Sequence, residues 1–422
     1  MNGVNDANVR GKKGKVAEKK AVLSITAGRK ITAPVTRGRC MLDDFDGETH
    51  GAYRMNIDLN LEHLPVPPRK KDYRIGAIGA GFIMRDIHLV AYQNAGFNVV
   101  AIASRDPAKA GAAAELRGVP KVHNTWQDLL ADDRIEVLDI AVPPAAQPAI
   151  VHAALQHPHI RGILAQKPLA TNYREAQEVV SACERAGVRL CVNQNMRYDH
   201  SIRALKTVLR RGYLGEPVLA TVDMRAIPHW QPWAKDYGQV TLAFMSIHHL
   251  DSFRYLFGDP EFVYTSARQD PRLDFPHRDG IVLYILEYAN GMRAAAWDDT
   301  WTGPAREGGA SDIYIKWRVE GTAGMAQGTI GWPHYPARVP STIRFTTVEQ
   351  PGYWFSPTWP QVWFPDAFEG TMGELLCSLE EGRESVLSGR DNLNTLALVE
   401  ACYRSLHQHR PVRPAEIKEE NA

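Results

Sequence analysis

The sequence has no apolar run long enough to cross a membrane and no apolar signal-peptide core near its beginning. Its five cysteines are odd in number and lack CxxC spacing, which argues against a disulfide framework or a zinc site. The formal net charge of +1 gives the chain as a whole no electrostatic basis for binding nucleic acid or a membrane. These absences predict a cytoplasmic protein with neither a nucleic-acid nor a membrane partner and with no bound metal.

The first 70 residues differ from the rest because they contain the basic, apolar-poor stretch VRGKKGKVAEKK and then turn acidic in MLDDFDGE. This composition predicts a disordered or extended tail over residues 1–70, which ends in the proline-rich linker LPVPPRKK. A nucleic-acid-binding arm is one alternative. Another is a start codon assigned too far upstream, with Met41 or Met55 as the native start.

Residues 71–195 alternate between short apolar strands and amphipathic helices. Asp106 and Pro107 have the types expected at the first positions of a helix. Parallel strands need helical crossovers, so this alternation predicts an α/β fold with a doubly wound parallel sheet of the Rossmann type.

A glycine turn, GAGFIM, joins the first predicted strand to the first helix. Gly79 permits the tight turn, and Gly81 lets a pyrophosphate approach the backbone at the helix N-terminus. Met84 stands where a third glycine is usual, but that glycine serves helix–strand packing rather than phosphate contact. The context indicates a dinucleotide site, with an ordinary βα turn as the alternative.

The second predicted strand ends in Ser104, Arg105 and Asp106. An NAD-binding site usually has an acidic residue at the strand end, whereas a hydroxyl followed by a guanidinium suits a 2′-phosphate. We therefore expect NADP(H) to be favoured over NAD(H). A solvated arginine, with Asp106 serving NAD, is the alternative.

Residues 196–410 change character, because several helical stretches accompany strands with hairpin turns. This pattern predicts a C-terminal α+β domain with a largely antiparallel open sheet, followed by a tail over residues 411–422.

Five motifs in order resemble the glucose–fructose oxidoreductase, inositol dehydrogenase and MocA family over about residues 72–408. They are the glycine turn with AIASRDPAKA, AVPP, AQKPLA, VNQNMRYDHSIRALKTVLRRGYLGEPV and HHLDSFRYLFG. The resemblance implies oxidation or reduction of a carbinol on a sugar, cyclitol or related polyol with NAD(P). It also implies a homo-oligomer, a dimer or tetramer.

The resemblance assigns the catalytic roles to Lys167 and His248. Hydride leaves a C–H bond only when the neighbouring hydroxyl loses its proton, and a neutral imidazole suits that task near neutral pH. A lysine ammonium can stabilise the developing alkoxide. A surface lysine and a buried structural histidine are the alternatives.

Two residues depart from the family at this centre. Gln166 replaces the glutamate before the lysine, and Phe244 stands where many members have aspartate. Both changes remove an anion that would favour charged Lys167 and charged His248. We therefore expect both groups to shift towards their neutral forms.

The remaining site residues follow from the same motifs. The residues expected to contact the cofactor are Gly79, Gly81, Phe82, Ile83, Ser104, Arg105, Val142, Pro143, Gln147, Gln166, Lys167 and Asn195. The residues expected to contact the substrate are Lys167, Asn195, Arg197, Tyr198, Trp230, Trp233, His248 and His249. Arg197 has an equal alternative, which is to tie the two domains together. The tryptophans have one as well, a hydrophobic lid over the sheet.

Two other functions stay open. A glycoside-cleaving enzyme would oxidise a ring carbon transiently, retain its cofactor and need an extra base such as Tyr198 or His249. A cofactor-binding sensor without turnover is consistent with the two lost carboxylates but not with the retained lysine and histidine.

Overall fold

The computed structural model describes residues 57–225, 232–300 and 312–421. The predicted tail up to residue 56 lies outside these residues. Residues 57–70, predicted as extended, form neither helix nor strand. They lie on the folded body, with Leu61 fully buried and Arg211 donating hydrogen bonds to the carbonyls of Asp58 and Asn60.

The first half builds a six-stranded parallel sheet in the order β3-β2-β1-β4-β5-β6. Its strands are β1 (Ile75–Ile78), β2 (Val99–Ala103), β3 (Lys121–His123), β4 (Val137–Ile140), β5 (Gly162–Ala165) and β6 (Arg189–Val192). The predicted Rossmann sheet is confirmed. The strand order reverses between β1 and β4, and ligands of such sheets bind at the carboxyl ends of the strands beside this point.

Helices connect these strands. They are a π-helical turn (Ile83–His88) that continues as α1 (Leu89–Ala95), then α2 (Pro107–Arg117), α3 (Trp126–Leu130), α4 (Gln147–Ala154) and α5 (Tyr173–Ala186). Asp106 begins α2 as predicted, because its carboxylate accepts from the amides of Ala108 and Lys109.

The second half builds a seven-stranded sheet in the order β13-β12-β11-β7-β10-β9-β8. Its strands are β7 (Pro217–Arg225), β8 (Phe262–Arg268), β9 (Ile281–Glu287), β10 (Arg293–Asp299), β11 (Tyr314–Gly321), β12 (Gly324–Ile330) and β13 (Thr342–Thr347). Only the pair β7–β10 among these strands is parallel, so the predicted largely antiparallel sheet is confirmed.

Three helices precede or interrupt this sheet. They are α6 (His200–Arg210), α7 (Pro232–Lys235) and α8 (Ile247–Phe257), with a π-helical segment (Leu242–Ser246) leading into α8. The sheet's inner face packs against this layer, and on β9 the buried side chains are those of Val282, Tyr284 and Leu286.

The C-terminal helices return to the parallel sheet. They are α9 (Ala367–Glu381), α10 (Gly389–Gln408) and α11 (Pro414–Glu420). Leu375 and Leu379 of α9 lie against Gly162 of β5. Helix α9 belongs to the predicted C-terminal domain but packs on the N-terminal sheet, across the predicted boundary at residue 195. One hydrophobic core contains residues from both halves.

The predicted tail over residues 411–422 is wrong for the residues that the structure describes there. Val412 exchanges two backbone hydrogen bonds with Val263, and α11 follows at once. Backbone pairing with the distant strand β8 holds the segment in place. Within the described ranges no helix is both long and apolar enough to cross a membrane.

Candidate active site

The loop after β1 leaves room for a ligand in front of its backbone. Gly79 has φ +109°, and a Cβ there would lie 2.3 Å from the carbonyl oxygen of Ala141, so no larger residue fits. At Gly81 a Cβ would meet no atom within 4 Å. Phe82 and Ile83 follow at the helix start, and Phe82 is exposed. Open space beside the backbone at a helix start is the cradle that a pyrophosphate needs.

Met84 fills the place of the missing third glycine. Its side chain is fully buried and belongs to a small core cluster with Ala77, Ala80 and Ile102. The side chain therefore packs in the core between helix and strand. The substitution therefore costs the turn no phosphate-binding group.

The end of β2 offers one free cation. Arg105 is exposed and has no ion-pair or hydrogen-bond partner among the described residues. Asp106 is occupied as the helix cap of α2, and the Ser104 hydroxyl accepts from the amide of Asp106 at 3.4 Å. The acidic residue that could hold a ribose diol is thus engaged elsewhere.

The loops after β4 and β5 are locked together by Gln147. This side chain is 1% exposed; its oxygen accepts from the Gln166 amide at 2.7 Å, and its nitrogen donates to the carbonyls of Gln166 and Pro168. Gln147 was predicted to contact the cofactor, but its polar atoms serve the turn that carries Lys167. Val142 and Pro143 lie half-buried just before this clamp, at the carboxyl end of β4.

Lys167 extends from this turn towards the second half of the chain. Its Nζ donates to the carbonyl oxygen of Phe244 at 2.5 Å. Burial lowers the pKa of Lys167 to about 7. No carboxylate of the described residues pairs with the ammonium, as expected from Gln166 and Phe244 at the two departing positions.

His248 lies one helical turn after Phe244, on α8. Burial lowers the pKa of His248 well below its usual range, and the positive charges of Lys167 and His249 lower it further. Trp363 meets the imidazole edge-on, with ring centroids 5.4 Å apart. The structure therefore brings Lys167 and His248 together, at the edge of the parallel sheet.

His249, predicted near the substrate, points elsewhere. Its Nδ1 lies 3.0 Å from the carboxylate of Asp298 on β10, which also accepts from the hydroxyl of Ser246. His249 and Asp298 are each 1% exposed. Neighbouring residues of a helix are about 100° apart, so only one of two adjacent histidines can face Lys167. The prediction for His249 is corrected.

Arg197 is a structural tie rather than a substrate contact. Its guanidinium donates to both carboxylate oxygens of Asp251 at 2.6 and 2.7 Å, to Asp391 at 2.6 Å and to the carbonyl of Val386 at 2.7 Å. All three nitrogens are used, and Arg197 is 5% exposed. The alternative that it ties the two halves together is the one the geometry supports.

Tyr198 is also a core residue. It is 6% exposed, and a Cβ on Gly370 of α9 would lie 2.1 Å from its ring. Burial raises the pKa of the Tyr198 phenol well above its usual range. The predicted substrate contact is corrected, because close packing against α9 leaves the ring no access to a ligand.

Asn195 supports the site indirectly. Its Oδ1 accepts from the indole of Trp363 at 3.1 Å, and its Nδ2 donates to the carbonyl of Asn193 at 3.2 Å. Asn195 is 2% exposed. It therefore holds Trp363, which in turn lies against His248. Sequence reasoning missed Trp363, whose only signal was the density of aromatic residues in YWFSPTWPQVWFP.

A second aromatic group lies around Phe244. Trp233 and Tyr237 each meet the ring of Phe244 edge-on, at 5.3 and 5.6 Å. The Tyr237 hydroxyl accepts from the amide of Ala145, beyond β4, at 3.3 Å. Trp233 is 37% exposed. Trp230, the other predicted tryptophan, lies outside the described residues.

Comparison with known proteins identifies the family of this chain. The model of the "Oxidoreductase family, NAD-binding Rossmann fold" matches residues 73–194, and that of the "GFO/IDH/MocA C-terminal domain" matches residues 202–327. Together the two models cover more than half of the chain.

Individual relatives are more distant. The chain is 28% identical over 357 residues to D-apiose dehydrogenase of Paraburkholderia graminis, covering 83% of this chain and 92% of that protein. It is 31% identical over 230 residues to inositol 2-dehydrogenase of Ralstonia nicotianae, covering 52% and 65%. An oxidoreductase structure from Agrobacterium radiobacter, in complex with NAD+, L-tartaric acid and magnesium, has a TM-score of 0.69 at 23% identity, covering 82% and 99%. That last likeness concerns the fold.

Proposed function

The chain belongs to the GFO/IDH/MocA family of oxidoreductases, and from this membership we propose a specific reaction. The protein transfers a hydride between a nicotinamide cofactor and a carbinol or ketone of a sugar, cyclitol or related polyol. The names of its relatives, a D-apiose dehydrogenase and an inositol 2-dehydrogenase, support this substrate class.

One observation carries the proposal. Lys167, from the turn after β5, reaches the helix turn that precedes His248. Lys167 follows the carboxyl end of β5, and at the same end of the sheet the loop after β1 has open space in front of Gly81. An amine and an imidazole beside a dinucleotide cradle are the groups that alcohol oxidation requires.

The two groups divide the proton chemistry. A general base works best when its pKa is near the working pH, and burial brings the pKa of Lys167 to about 7. We assign the removal of the hydroxyl proton to the neutral amine of Lys167, whose lone pair remains free when the amine donates to Phe244. His248 stays neutral and orients the same hydroxyl. This reverses the roles expected from the resemblance, because burial weakens the imidazole as a base.

Other residues would hold the cofactor. The backbone from Gly81 to Ile83 would contact the pyrophosphate, and Val142 and Pro143 would line the nicotinamide end. When bound, the nicotinamide accepts or supplies the hydride. The fully buried Leu89 and the clamp at Gln147 keep the two loops in place from behind.

We further propose that NADP(H) is favoured over NAD(H). Arg105 is a free, exposed guanidinium at the end of β2, and Asp106 is engaged as a helix cap. A guanidinium pairs well with a phosphate dianion, whereas the Asp106 carboxylate already caps α2 through its Oδ1.

The substrate pocket would be walled by aromatic rings. The exposed Trp233 lies against Phe244, whose carbonyl binds Lys167. Trp363 is fully buried and supports His248 from within the core. Flat aromatic faces bind the C–H faces of sugar rings, while the amine and the imidazole supply the polar contacts.

The glycoside-cleaving alternative loses support, because both candidate second bases are occupied. Tyr198 is packed under α9 and His249 is paired with Asp298. The sensor alternative is not favoured either, because the paired amine and imidazole have no role in a protein that only binds a cofactor.

We propose a homo-oligomer, a dimer or tetramer, that associates through the outer face of the second sheet. Four apolar side chains stand exposed there on neighbouring strands: Tyr264, Leu283, Ile285 and Trp297. Tyr264 is opposite Ile285, and Leu283 is opposite Trp297, so they form one patch.

The four described cysteines are free and buried, which fits our further proposal of a cytoplasmic location.

A panel of free sugars and cyclitols, assayed with NADP and NAD at the nicotinamide absorbance, tests the reaction. We expect stoichiometric cofactor reduction with at least one polyol. Reduced nicotinamide that copurifies with the protein, without net turnover, would favour the glycoside-cleaving reaction. Absence of any nicotinamide binding would contradict both.

A further inference from the structure

A chain of buried polar groups runs behind Lys167, and its centre is His88, at the end of the π-helical turn after the glycine loop. The Nδ1 of His88 lies 2.7 Å from the carboxylate of Asp139 on β4. The hydroxyl of Tyr92 donates to the same carboxylate oxygen at 2.7 Å. His88 and Tyr92 are 0% exposed and Asp139 is 1% exposed, so water does not compete for these groups.

The other nitrogen of His88 faces two side-chain amides. Its Nε2 lies 3.0 Å from the Nδ2 of Asn193, beyond β6, and 3.4 Å from the Nε2 of Gln166, beyond β5. The Oε1 of Gln166 accepts from the backbone amide of Lys167 at 2.9 Å. The imidazole of His88 thus links Asp139 on β4, Gln166 after β5 and Asn193 after β6. Gln166 is the residue before the proposed base.

The direction of this chain is determined by its two ends. A backbone N–H can only donate, so Gln166 must present its oxygen to Lys167 and its NH2 to His88. The Nε2 of His88 must then accept. A carboxylate can only accept, so the proton of His88 resides on Nδ1 and is donated to Asp139. From the backbone amide of Lys167 to the carboxylate of Asp139, each hydrogen bond therefore has one determined donor and one determined acceptor.

We propose that His88 is a positioning residue for Lys167, held in its neutral Nδ1–H tautomer by Gln166 and Asp139. The catalytic role of Lys167 rests on the proposed function, whereas the tautomer of His88 does not depend on it. The turn that carries Lys167 is held by Gln147 and by the Gln166 side chain, which accepts from the backbone amide of Lys167. Loss of the acceptor at position 88 frees the Gln166 side chain, removes one of these two supports and misplaces the amine.

The residue type at position 166 then decides the protonation of His88. A glutamate, as in the family motif, has only acceptors to offer. It would need a second proton on His88, giving an imidazolium between two carboxylates, and Asn193 would have to turn its amide over. Glutamine therefore keeps one buried negative charge in this chain, on Asp139, where glutamate would add a second.

Nitrogen NMR of histidine-labelled protein tests the tautomer without any assay of turnover. A difference spectrum against His88→Gln identifies the His88 signals. We expect Nδ1 protonated and Nε2 unprotonated in the natural sequence, and both nitrogens protonated in Gln166→Glu. Tyr92→Phe is the matched control, because it removes a hydrogen-bond partner of Asp139 without changing the partners of the His88 Nε2. The tautomer of His88 should be unchanged in this variant. An Nε2–H tautomer in the natural sequence would overturn the proposal, as would an unchanged tautomer in Gln166→Glu.

Kinetics test the positioning. We expect His88→Leu to lower kcat about tenfold with KM and cofactor affinity changed less than about twofold, because a misplaced base slows the chemical step rather than binding. His88→Gln can still accept from Gln166 and should recover most of the loss. A natural kcat in a folded His88→Leu protein would overturn the positioning role.

The two arms separate the possible failures. If the tautomer is as stated but no polyol is turned over, the proposed function fails and the hydrogen-bond chain stands. If turnover depends on Lys167 but is insensitive to His88→Leu, the proposed function stands and this inference fails. If His88→Leu does not fold, Gln166→Glu carries the test, because residue 166 is only half-buried.

Discussion

Helix α8 carries two buried charged regions with opposite arrangements. Near its start, His248 meets Lys167, and the only hydrogen-bond acceptor shown for the Lys167 ammonium by the described residues is a backbone carbonyl. One turn further, Asp251 accepts from Arg197 and from the hydroxyl of Thr395.

The second region is fully compensated. Asp391 bridges Arg197 at 2.6 Å and Arg254 at 3.0 Å, and Arg254 also donates to Thr395 and Asp259. Buried charges that are paired and hydrogen-bonded hold a structure together, while buried charges left unpaired shift their pKa values. The difference between the two regions supports the proposed role of Lys167, because its unpaired amine can change protonation near neutral pH.

Replacement of Lys167 is expected to have the largest effect. Lys167→Met removes the proposed base and should lower kcat by about 10³-fold, with cofactor affinity, measured by nicotinamide fluorescence, largely kept. Lys206→Met is the matched control, since Lys206 is also partly buried, donates to the carbonyl of Tyr255 at 2.5 Å and has its pKa lowered by burial. Equal losses in both variants would contradict the assignment.

Replacement of Asp251 should separate stability from catalysis. Asp251→Asn leaves Arg197 buried without its bidentate partner and should lower the free energy of unfolding by about 3 kcal/mol. Denaturant titration measures this effect, and the folded fraction should keep a kcat within about threefold of the natural protein. A selective loss of kcat without loss of stability would place the second region in the active site.

The pH dependence follows from the lowered pKa of Lys167. In the oxidation direction, kcat/KM should rise about tenfold per pH unit up to about pH 7 and then level off. A limb that continues to rise towards pH 10 would contradict a base with a lowered pKa.

Stability provides an independent check of the same group. An unfolded lysine has a pKa of about 10.5, so between pH 7 and 10.5 the unfolded chain binds more protons at this position than the folded one. The contribution of Lys167 to the free energy of unfolding therefore rises with pH between pH 7 and 10.5. The stability gained in Lys167→Met should shrink as the pH is raised from 7 towards 10, and a constant difference would argue against the shift.

The smallest effect concerns cofactor choice. Arg105→Ala should weaken NADP(H) about tenfold and leave NAD(H) within about twofold, because only the former offers a phosphate to the guanidinium. Ratios of kcat/KM for the two cofactors measure the change. Exposed Lys109, in the next turn, is a suitable control. An equal loss for both cofactors would remove Arg105 from the proposed site.

Much of the fold was predictable from local patterns. Alternating apolar periodicity indicated both sheets, and the residue types of Asp106 and Pro107 were enough to mark the start of α2. The glycine turn after β1 was predictable too, because Gly79 and Gly81 follow a strand and precede a helix. Such features depend on residues within a few positions of each other, where sterics and hydrogen bonding act directly.

Site residues were predictable only by type. The sequence presented Arg197, Tyr198 and His249 as suitable groups near suitable positions, yet each is used by the core. Their partners come from distant segments: Asp251 lies 54 residues from Arg197, and Asp298 lies 49 residues from His249. Only packing decides which polar side chains meet.

By itself, the sequence determined the alternation of strands and helices, the glycine turn, and a lysine and a histidine with Gln166 and Phe244 in place of the family's two carboxylates. The tertiary structure alone decided that Trp363, 168 residues from Asn195, lies between that asparagine and His248. It also decided that His88 stands behind Gln166, 78 residues away. The reason is physical: backbone conformation is set by near neighbours, whereas hydrogen-bond partners and burial are set by which segments the whole chain brings together.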